Sequence, residues 1–247
     1  MVRNEQWVLG YILHSRPFRD TSLIVDVLTG EYGRVSLLYK GVKSSKNKSN
    51  RARLLQPFQP LEFLWQGDRE LKTGKKVEPK AAGFYLTGAA LYSAMYLNEL
   101  LMRLLYKEDP HPVVFSQYQQ SLERLSLLER DQMPDIEVVL RTFELTLLGE
   151  LGYELCLDRD AALNIIEPGV NYCYDPELGF DPAIKRIDPR LSQQHFSGEQ
   201  LLAIAEQQWD LPGAREAAKR LLRLALAPHL GDKPLESRQL FRRIQHS

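Results

Sequence analysis

The chain has 247 residues, 44% of them hydrophobic and 26% charged, and its 32 Lys and Arg balance 32 Asp and Glu. This composition excludes a chain that is disordered throughout, and the length leaves room for one large domain or two modest ones. The two cysteines, Cys156 and Cys173, form no CxxC pair and no disulfide framework, so a reduced cytoplasmic protein is expected.

Residues up to about 80 have the pattern of short strands. Five segments rich in β-branched and aromatic residues are separated by turn-forming residues, and they lie at 7–13, 22–28, 34–39, 61–65 and 70–77. Five short strands in so short a region favour a closed barrel, because closure removes the exposed edges of an open sheet. The prediction is a five-stranded OB-fold, a small barrel that commonly binds single-stranded nucleic acid.

A basic segment lies between the third and fourth predicted strands. It spans residues 40–53 and contains six cations and no acid: Lys40, Lys43, Lys46, Lys48, Arg51 and Arg53. Residues 1–80 hold fifteen Lys or Arg against eight Asp or Glu, whereas residues 81–247 hold seventeen against twenty-four. Clustered cations attract a polyanion whatever the net charge, which indicates a phosphate-backbone ligand. The alternative is a solvated flexible loop.

The pattern becomes helical from residue 84. Apolar residues recur at helical spacing on one face: Leu97, Leu100, Leu101, Leu104 and Leu105. Further helices are predicted over 112–128 and after Pro134. The region 84–106 has the length of a membrane span, but Asn98, Glu99 and Arg103 favour a core helix and no membrane association.

Residues 153–190 interrupt the helices with Pro, Gly and Asp, which predicts an irregular excursion with one β-hairpin over 172–180. Ser197 is a predicted N-cap with Gln200 three residues later. The last long helix is predicted from Leu211 to Ala227, ended by Pro228, with a short terminal helix over 235–244. The predicted fold class is α+β, with a barrel domain at 1–80 and a mainly helical domain at 81–247.

The last long helix carries a second group of cations. Arg215, Lys219 and Arg223 recur every four residues, and Arg220 widens the stripe. Residues 215–243 hold eight basic residues against three acidic ones. We expect this stripe to converge with the basic segment into one phosphate track. The alternative is a solvated helix face.

Catalytic motifs are absent from the sequence. The five histidines are scattered without HxxxH or HExxH spacing, so no catalytic residue, metal or cofactor is predicted. Four acids of the excursion keep a metal-dependent nuclease open as an alternative: Asp158, Asp160, Asp175 and Asp181. An RNA-binding module built on the OB-fold barrel is the other alternative.

Several segments resemble the RecO family of bacterial recombination mediators. In the N-terminal part these are HSRPFRDTSL at 14–23, TGEYGR at 29–34, KGVKSS at 40–45 and LQPF at 55–58. In the C-terminal part they are YLNELL at 96–101, RTFEL at 141–145, LGY at 151–153 and LGDKPLESRQLF at 230–241. The similarity extends over nearly the whole chain in the same order.

The resemblance implies an N-terminal OB-fold followed by a helical domain, in a mediator that is not an enzyme. It implies binding of single- and double-stranded DNA, annealing without ATP, and action with RecR in loading RecA onto DNA coated by single-stranded-DNA-binding protein. Many relatives carry a four-cysteine zinc site after the Leu-Gly-Tyr motif. Only Cys156 and Cys173 occupy that region here, so a metal-free version is expected, in the cytoplasm and associated with the nucleoid.

Two sets of site residues are predicted. DNA contacts are assigned to Arg34 and the cations of residues 40–53, extended by Lys219, Arg220 and Arg223. The resemblance also implies recognition of the acidic C-terminal tail of the coating protein, which ends in an apolar residue. By position in the RTFEL motif, the tail is assigned to Leu140, Arg141 and Phe143. The alternative for Arg141 is a surface arginine that pairs with Glu137 or Glu144 in the same helix.

Overall fold

The structure is a computed structural model that describes residues 6–42, 51–128, 133–182 and 194–237, without the side chain of Arg51. The strands are β1 (Val8–Phe18), β2 (Ser22–Thr29), β3 (Gly33–Tyr39), β4 (Leu61–Gln66), β5 (Leu71–Pro79), β6 (Asn171–Asp175), β7 (Gly179–Pro182) and β8 (His195–Ser197). The helices are α1 (Arg51–Leu54), α2 (Gly88–Leu104), α3 (Pro112–Leu127), α4 (Met133–Glu150), α5 (Gly198–Ala205) and α6 (Ala214–Leu230). One compact unit comprises Met1–Asp131 with Pro234–Ser247, and the other comprises Gln132–Lys233.

The first five strands close into a barrel in the order β1-β2-β3-β5-β4, which confirms the predicted OB-fold and the α+β class. All neighbouring pairs are antiparallel except β3 and β5, where Ser36 lies opposite Leu71 in a parallel register. Strand β1 is longer than predicted, because it pairs with β2 as far as Phe18 opposite Ser22. The second half of β1 is exposed and therefore lacks the alternation of apolar and polar residues by which a half-buried strand is predicted.

Alternating apolar residues of these strands form the barrel core. The fully buried side chains include Val25, Leu37 and Phe63. One carboxylate, Asp26, is also buried, and the hydroxyl of Ser36 on the neighbouring strand donates to it at 2.6 Å. A buried carboxylate is tolerated where such a donor replaces the lost water.

Helices α2 and α3 are tied to the barrel by one buried amide. The Nδ2 of Asn98 on α2 donates to the carbonyl of Leu13 on β1 at 2.9 Å. The hydroxyl of Tyr118 on α3 donates to the Oδ1 of Asn98 at 2.6 Å. Asn98 is only 5% exposed, so its amide needs hydrogen-bond partners inside the protein. Through these two hydrogen bonds it connects β1, α2 and α3 of the first unit.

The segment that follows Lys233 is anchored on α2. The carboxylate of Glu99 accepts hydrogen bonds from the backbone N–H groups of Glu236 and Ser237 and from the Ser237 hydroxyl, at 2.7–2.9 Å. Arg103 pairs with Glu99 and donates to the Pro234 carbonyl, both at 2.7 Å. Glu99 therefore satisfies free N–H groups at the start of a helical turn, as an N-cap side chain does. The predicted terminal helix lies mostly outside the described residues.

This anchor predicts a pH dependence of stability. Burial raises the pKa of the Glu99 carboxyl, but the hydrogen bonds from Ser237 and Glu236 and the charge of Arg103 outweigh it, so the pKa lies below its ordinary value. A lowered folded-state pKa gives stability that is present above about pH 4.3, the unfolded value, and is lost as the pH falls through the folded value. We expect Glu99→Gln to lower the free energy of unfolding by about 2 kcal/mol at pH 7.

Urea unfolding of the wild type and Glu99→Gln at a series of pH values from 7 to 3 measures this effect. The difference between the two proteins should shrink as the acid limit is approached. Glu31→Gln, an exposed position in the β2–β3 turn, is the control for loss of a carboxylate. A difference that stays constant down to pH 3 would contradict the role of the ionised carboxylate.

In the second unit, α4 ends in a Schellman motif. The N–H of Tyr153 donates to the Leu148 carbonyl at 2.8 Å and that of Gly152 to the Gly149 carbonyl at 3.0 Å. Gly152 has φ +81, the left-handed conformation that this motif requires. The Leu-Gly-Tyr motif is therefore a helix stop, in agreement with the predicted end of this helix.

The excursion contains the predicted hairpin, formed by β6 and β7. A third strand, β8, which was not predicted, lies after the excursion and pairs with β6. Strand β8 is only three residues long and lies directly before α5, so it has too few residues to show a period. Its Phe196 packs edge-on against Phe180, and Phe180 contacts Tyr174, with ring centroids 6.5 and 5.0 Å apart. An aromatic cluster thus forms the core of this small sheet.

The start of α5 and the bounds of α6 test two further predictions. The capping box of Ser197 and Gln200 is confirmed, with reciprocal hydrogen bonds between side chain and backbone. The predicted bounds of α6 are wrong at both ends: the helix begins at Ala214 after Gly213 and continues through Pro228 to Leu230. A proline in the last turn costs one backbone hydrogen bond, which the packing of the apolar face outweighs here. None of the described helices is long and apolar enough to cross a membrane.

Candidate nucleic-acid interface

The strand registers gather cations at one end of the barrel. Arg16 lies near the end of β1, and Arg19 lies in the turn between β1 and β2. Because Leu23 pairs with Tyr39, the end of β3 and the following Lys40 lie beside this hairpin. The three side chains are exposed.

The neighbouring strand β5 adds two more cations. Leu38 lies opposite Thr73 in the parallel β3–β5 register, so the exposed Lys75 and Lys76, which follow Thr73, lie toward the same end of the barrel as Lys40. The hydroxyl of Tyr39 donates to the carbonyl of Lys76 at 3.3 Å, which holds the strand at this place. Helix α1 packs against β5 and presents an exposed Arg53. We call this set the basic rim, and its members are Arg16, Arg19, Lys40, Arg53, Lys75 and Lys76.

Only Lys40 and Arg53 of the basic rim were predicted from the sequence. Arg16 belongs to β1, Arg19 to the turn after it, and Lys75 and Lys76 to β5, so all four are separated from residues 40–53 along the chain. The closed barrel brings the strand ends together, and a search for runs of charge cannot detect that. The predicted contacts Lys43, Lys46 and Lys48 and the side chain of Arg51 lie outside the described residues.

Arg34 has a structural partner inside the first unit. Its Nε and Nη2 donate to the carbonyl of Leu105, at 3.2 and 2.9 Å, directly after the end of α2. Burial lowers the pKa of the guanidinium, and the charges of Asp26 and Glu70 act in the opposite direction. A cation at the C-terminal end of a helix interacts favourably with free carbonyls and with the helix dipole. A DNA contact by Arg34 stays a prediction.

Two ion pairs accompany this contact. Lys72 on β5 pairs with Glu108, and Lys107 pairs with Glu70. The backbone N–H of Glu108 also donates to the carbonyl of Arg34 at 3.0 Å. The segment after α2 is therefore held against β3 and β5 by Arg34, by the Lys72–Glu108 pair and by the Lys107–Glu70 pair.

The predicted cations of α6 are placed differently from one another. Lys219 pairs with Glu137 of α4 at 2.7 Å, and Arg220 lies over the Phe196 ring, 4.8 Å from its centroid. Arg223 is exposed and has no partner among the described residues. These residues belong to the second unit and the basic rim to the first. Convergence of the two groups into one track stays a prediction.

The predicted tail-binding residues lie on the inner side of α4. Phe143 has no exposed surface, and Leu140 and Arg141 are each 7% exposed. The Arg141 guanidinium lies 2.9 Å from the Glu144 carboxylate, so Arg141 does pair with Glu144, but the pair is buried and not at the surface as the alternative had it. Its Nε has no acceptor among the described residues. Recognition of an acidic tail by these three residues stays a prediction.

The acids of the excursion organise turns. Asp160 accepts from the backbone of Ala162 and Asn164 and from the Asn164 side chain, and that side-chain hydrogen bond is the main cause that lowers its pKa. Asp175 accepts from two backbone N–H groups of the β6–β7 turn. Within the described ranges, no group of three or more His, Cys, Asp or Glu is arranged to hold a metal ion.

The two cysteines have thiol pKa values above the ordinary one. Burial raises the pKa of Cys156, with Asp158 adding to the effect. Burial also raises the pKa of Cys173, with further contributions from Asp175 and Asp181. A raised pKa favours the protonated thiol, which is a weaker nucleophile than the thiolate.

The sequence matches known families over both parts of this architecture. Residues 5–82 match the family described as Recombination protein O N terminal, and residues 86–239 match Recombination protein O C terminal. The chain belongs to the RecO family. The RecO N-terminal match spans the barrel strands, and the RecO C-terminal match spans α2 to α6. The compact units divide the chain after Asp131 and before Pro234. The domain division at residue 80 stays a prediction.

Similar proteins confirm the family over nearly the full length. Three of them bear the name DNA repair protein RecO. The protein of Pseudomonas aeruginosa strain PAO1 is 44% identical over 231 residues, covering 94% of this chain and 92% of its own. The proteins of Aliivibrio fischeri strain ES114 and Stutzerimonas stutzeri strain A1501 are 41% and 42% identical, over 94% and 96% of this chain and 93% and 94% of their own.

Proposed function

We propose that this chain acts in DNA repair and homologous recombination as a DNA-binding mediator. In this proposal it binds single- and double-stranded DNA, anneals complementary strands without ATP, and acts with RecR to load RecA onto DNA coated by single-stranded-DNA-binding protein. Membership of the RecO family supports the repair role. The observation that carries the DNA contact is the basic rim at one end of the OB-fold barrel.

The basic rim has the properties of a phosphate-binding surface. Its six side chains come from β1, the β3 end, α1 and β5, and all six are exposed. They project from strands of the barrel and from the turns and the short helix α1 next to those strands. Phosphate contacts of this kind hold a strand without reading its sequence. Such a surface suits a protein that must act on any damaged site.

Annealing through this surface requires no bond to be made or broken. Two complementary strands repel each other through their phosphates, and bound cations reduce that repulsion. The bases of a strand held by its backbone remain available for pairing. The assignment therefore needs neither an acid–base pair nor a nucleotide.

The salt dependence of binding tests the basic rim. If its six cations neutralise about six phosphates of single-stranded DNA, the slope of log K against log salt should be about −4. Reversal of two rim charges in Lys40→Glu/Lys75→Glu should change this slope to about −3 and weaken binding on the order of 20-fold at 0.1 M salt. Fluorescence anisotropy with labelled oligonucleotides measures both quantities.

The matched control is Arg69→Glu/Arg124→Glu, which reverses two exposed cations of the same unit outside the basic rim. It should keep most of the wild-type affinity and slope. Equal losses in the two double variants would show that the rim has no special role. Strand annealing without nucleotide should slow in parallel with the loss of binding.

The same assays distinguish the alternatives. Tighter binding to structured RNA than to single-stranded DNA would favour an RNA-binding module over a recombination mediator. Strand cleavage stimulated by Mg²⁺ would favour a nuclease that uses the acids of the excursion. Annealing in the presence of EDTA, with the oligonucleotides intact, is the result expected here.

A further inference from the structure

A cleft of about 530 Å³ lies in the second unit. Its walls are the C-terminal half of α4, the segment 154–158 and the end of α5. This volume is within the range of clefts that hold ligands in proteins. All three walls belong to the same compact unit, so the cleft is complete in that unit.

The inner surface of the cleft is polar in part and apolar in part. Leu148, Leu157 and Ile204 are buried and line its floor. Leu145 and Leu155 are partly exposed and line its walls. Partly exposed leucines beside a buried apolar floor leave hydrophobic surface in contact with water, and covering that surface would be favourable.

The edge of the cleft is acidic. Glu150, Glu154 and Asp158 line it, and no Lys or Arg does so. The side chains of Glu150 and Glu154 are exposed and have no ion pair or hydrogen bond to any described residue. Asp158 lies 4.0 Å from the Nε of Arg159, a distance at which the pairing is weak. Among the described residues of the unit, no cation pairs with Glu150 or Glu154, so the edge presents negative charge.

Two small residues keep the walls open. Gly149 lies in α4 on the wall, and a Cβ built there would meet nothing within 4 Å. Ala205 lines the opposite wall at the end of α5. A side chain at position 149 would fit without a clash and would favour the helix, since glycine is a poor helix former. The backbone conformation at position 149 is one that any residue can adopt. The glycine therefore has no conformational reason, and its lack of a side chain leaves this part of the cleft open.

We propose that this acidic cleft, formed by Leu145, Leu148, Glu150, Glu154, Leu155 and Ile204, binds a cationic amphipathic segment of a partner protein. Apolar side chains of that segment would cover the leucines, and flanking Lys or Arg would pair with Glu150 and Glu154. Phosphate-bearing ligands and acidic peptides are repelled by this edge, so the occupant differs in charge from DNA and from the tail of the coating protein. A helix with apolar residues on one face is the form of peptide that fits an apolar groove.

A designed peptide serves as the probe. It is a labelled 14-residue helix with Leu at i, i+3, i+4, i+7 and Lys at the other positions, mixed with the full-length chain. A second peptide carries Glu in place of every Lys, and a third has the Leu and Lys residues in scrambled order. We expect the first peptide to bind, with NMR signals of Gly149, Leu155 and Ala205 changing, and the other two to bind at least tenfold more weakly.

Variants of the cleft locate the binding. Glu154→Lys should weaken binding of the first peptide at least tenfold, and Glu177→Lys, an exposed glutamate of the β6–β7 turn, should leave it unchanged. Gly149→Phe fills the cleft without a change of charge and should also weaken binding. If Gly149→Phe fails to fold, the comparison of Glu154→Lys with Glu177→Lys still tests the proposal, because both positions are exposed.

Three results would overturn the proposal. Equal affinities of Glu154→Lys and Glu177→Lys would mean that the peptide binds acidic surface in general. Equal binding of the scrambled peptide would mean that the apolar floor is unused. Concentration-dependent dimers of the chain alone, lost in Glu154→Lys when measured by sedimentation velocity, would assign the cleft to a second copy of this chain.

Discussion

Gly33→Ala is expected to lower the free energy of unfolding by about 4 kcal/mol, and Gly41→Ala by only about 1 kcal/mol. Both glycines have left-handed backbone conformations, with φ +62 and +70. A Cβ at position 33 would lie 2.0 Å from the carbonyl oxygen of Asp109, whereas one at position 41 would meet nothing within 4 Å. The pair therefore separates the cost of the conformation from the cost of a clash with backbone.

The clash is severe because backbone atoms hold both sides of the contact. Gly33 begins β3, and Asp109 follows the residues that bind Arg34 and Lys72. Neither side can move without breaking those contacts. The result should be a melting temperature lower by roughly 10 °C for Gly33→Ala, since about 1 kcal/mol corresponds to 2–4 °C at this chain length.

Thermal unfolding followed by circular dichroism, with urea titration for the free energies, measures both variants. Wild-type binding of an oligonucleotide at low temperature should be retained, because neither glycine belongs to the basic rim. Similar losses of unfolding free energy in Gly33→Ala and Gly41→Ala would show that the left-handed conformation alone accounts for the effect. The clash with the Asp109 carbonyl would then contribute nothing.

Asn98→Ala is expected to cost about 2–5 kcal/mol. The substitution leaves the Leu13 carbonyl and the Tyr118 hydroxyl buried without their partner, and each such group costs about 1–3 kcal/mol. It also removes a side chain that connects β1, α2 and α3. Urea unfolding with one probe in the barrel and one in the helices should show a lower midpoint.

A double-mutant cycle with Tyr118→Phe tests the network directly. Tyr118→Phe alone removes one donor and should cost about 1–2 kcal/mol. In Asn98→Ala/Tyr118→Phe no hydroxyl is left unpaired, so the double variant should be more stable than the sum of the single effects by at least about 1 kcal/mol. Additive effects would contradict a shared hydrogen-bond network.

The barrel and most helices follow from local patterns in the sequence. The alternation and β-branched content of residues 7–77 predict five strands, and helical spacing of leucines predicts α2. Ser197 with Gln200 predicts the start of α5. These features are local, because strand and helix periods, caps and turns act within a few residues of one another. Prediction failed where the local period was too short, as in β8, or where packing outweighed a breaker, as at Pro228.

The candidate site was predicted only in part for the same reason. The basic segment marks the barrel as a polyanion-binding element, and Lys40 and Arg53 were found in this way. Arg16, Lys75 and Lys76 lie outside residues 40–53 in the sequence and reach the same end of the barrel as Lys40 only through the strand registers. Conversely, Arg34 looks like a free cation in the sequence, but its partner carbonyl is 71 residues away in the chain.

The amino-acid sequence by itself determined the OB-fold barrel, the succession of helices, the separation of charge and the family. The tertiary structure alone decided which cations share a surface, which acids are used in turns, and where acidic side chains border a cleft lined in part by leucines. The physical reason is that periodicity and capping depend on neighbours in the chain. Electrostatic and packing environments depend instead on groups that meet only when the chain has folded.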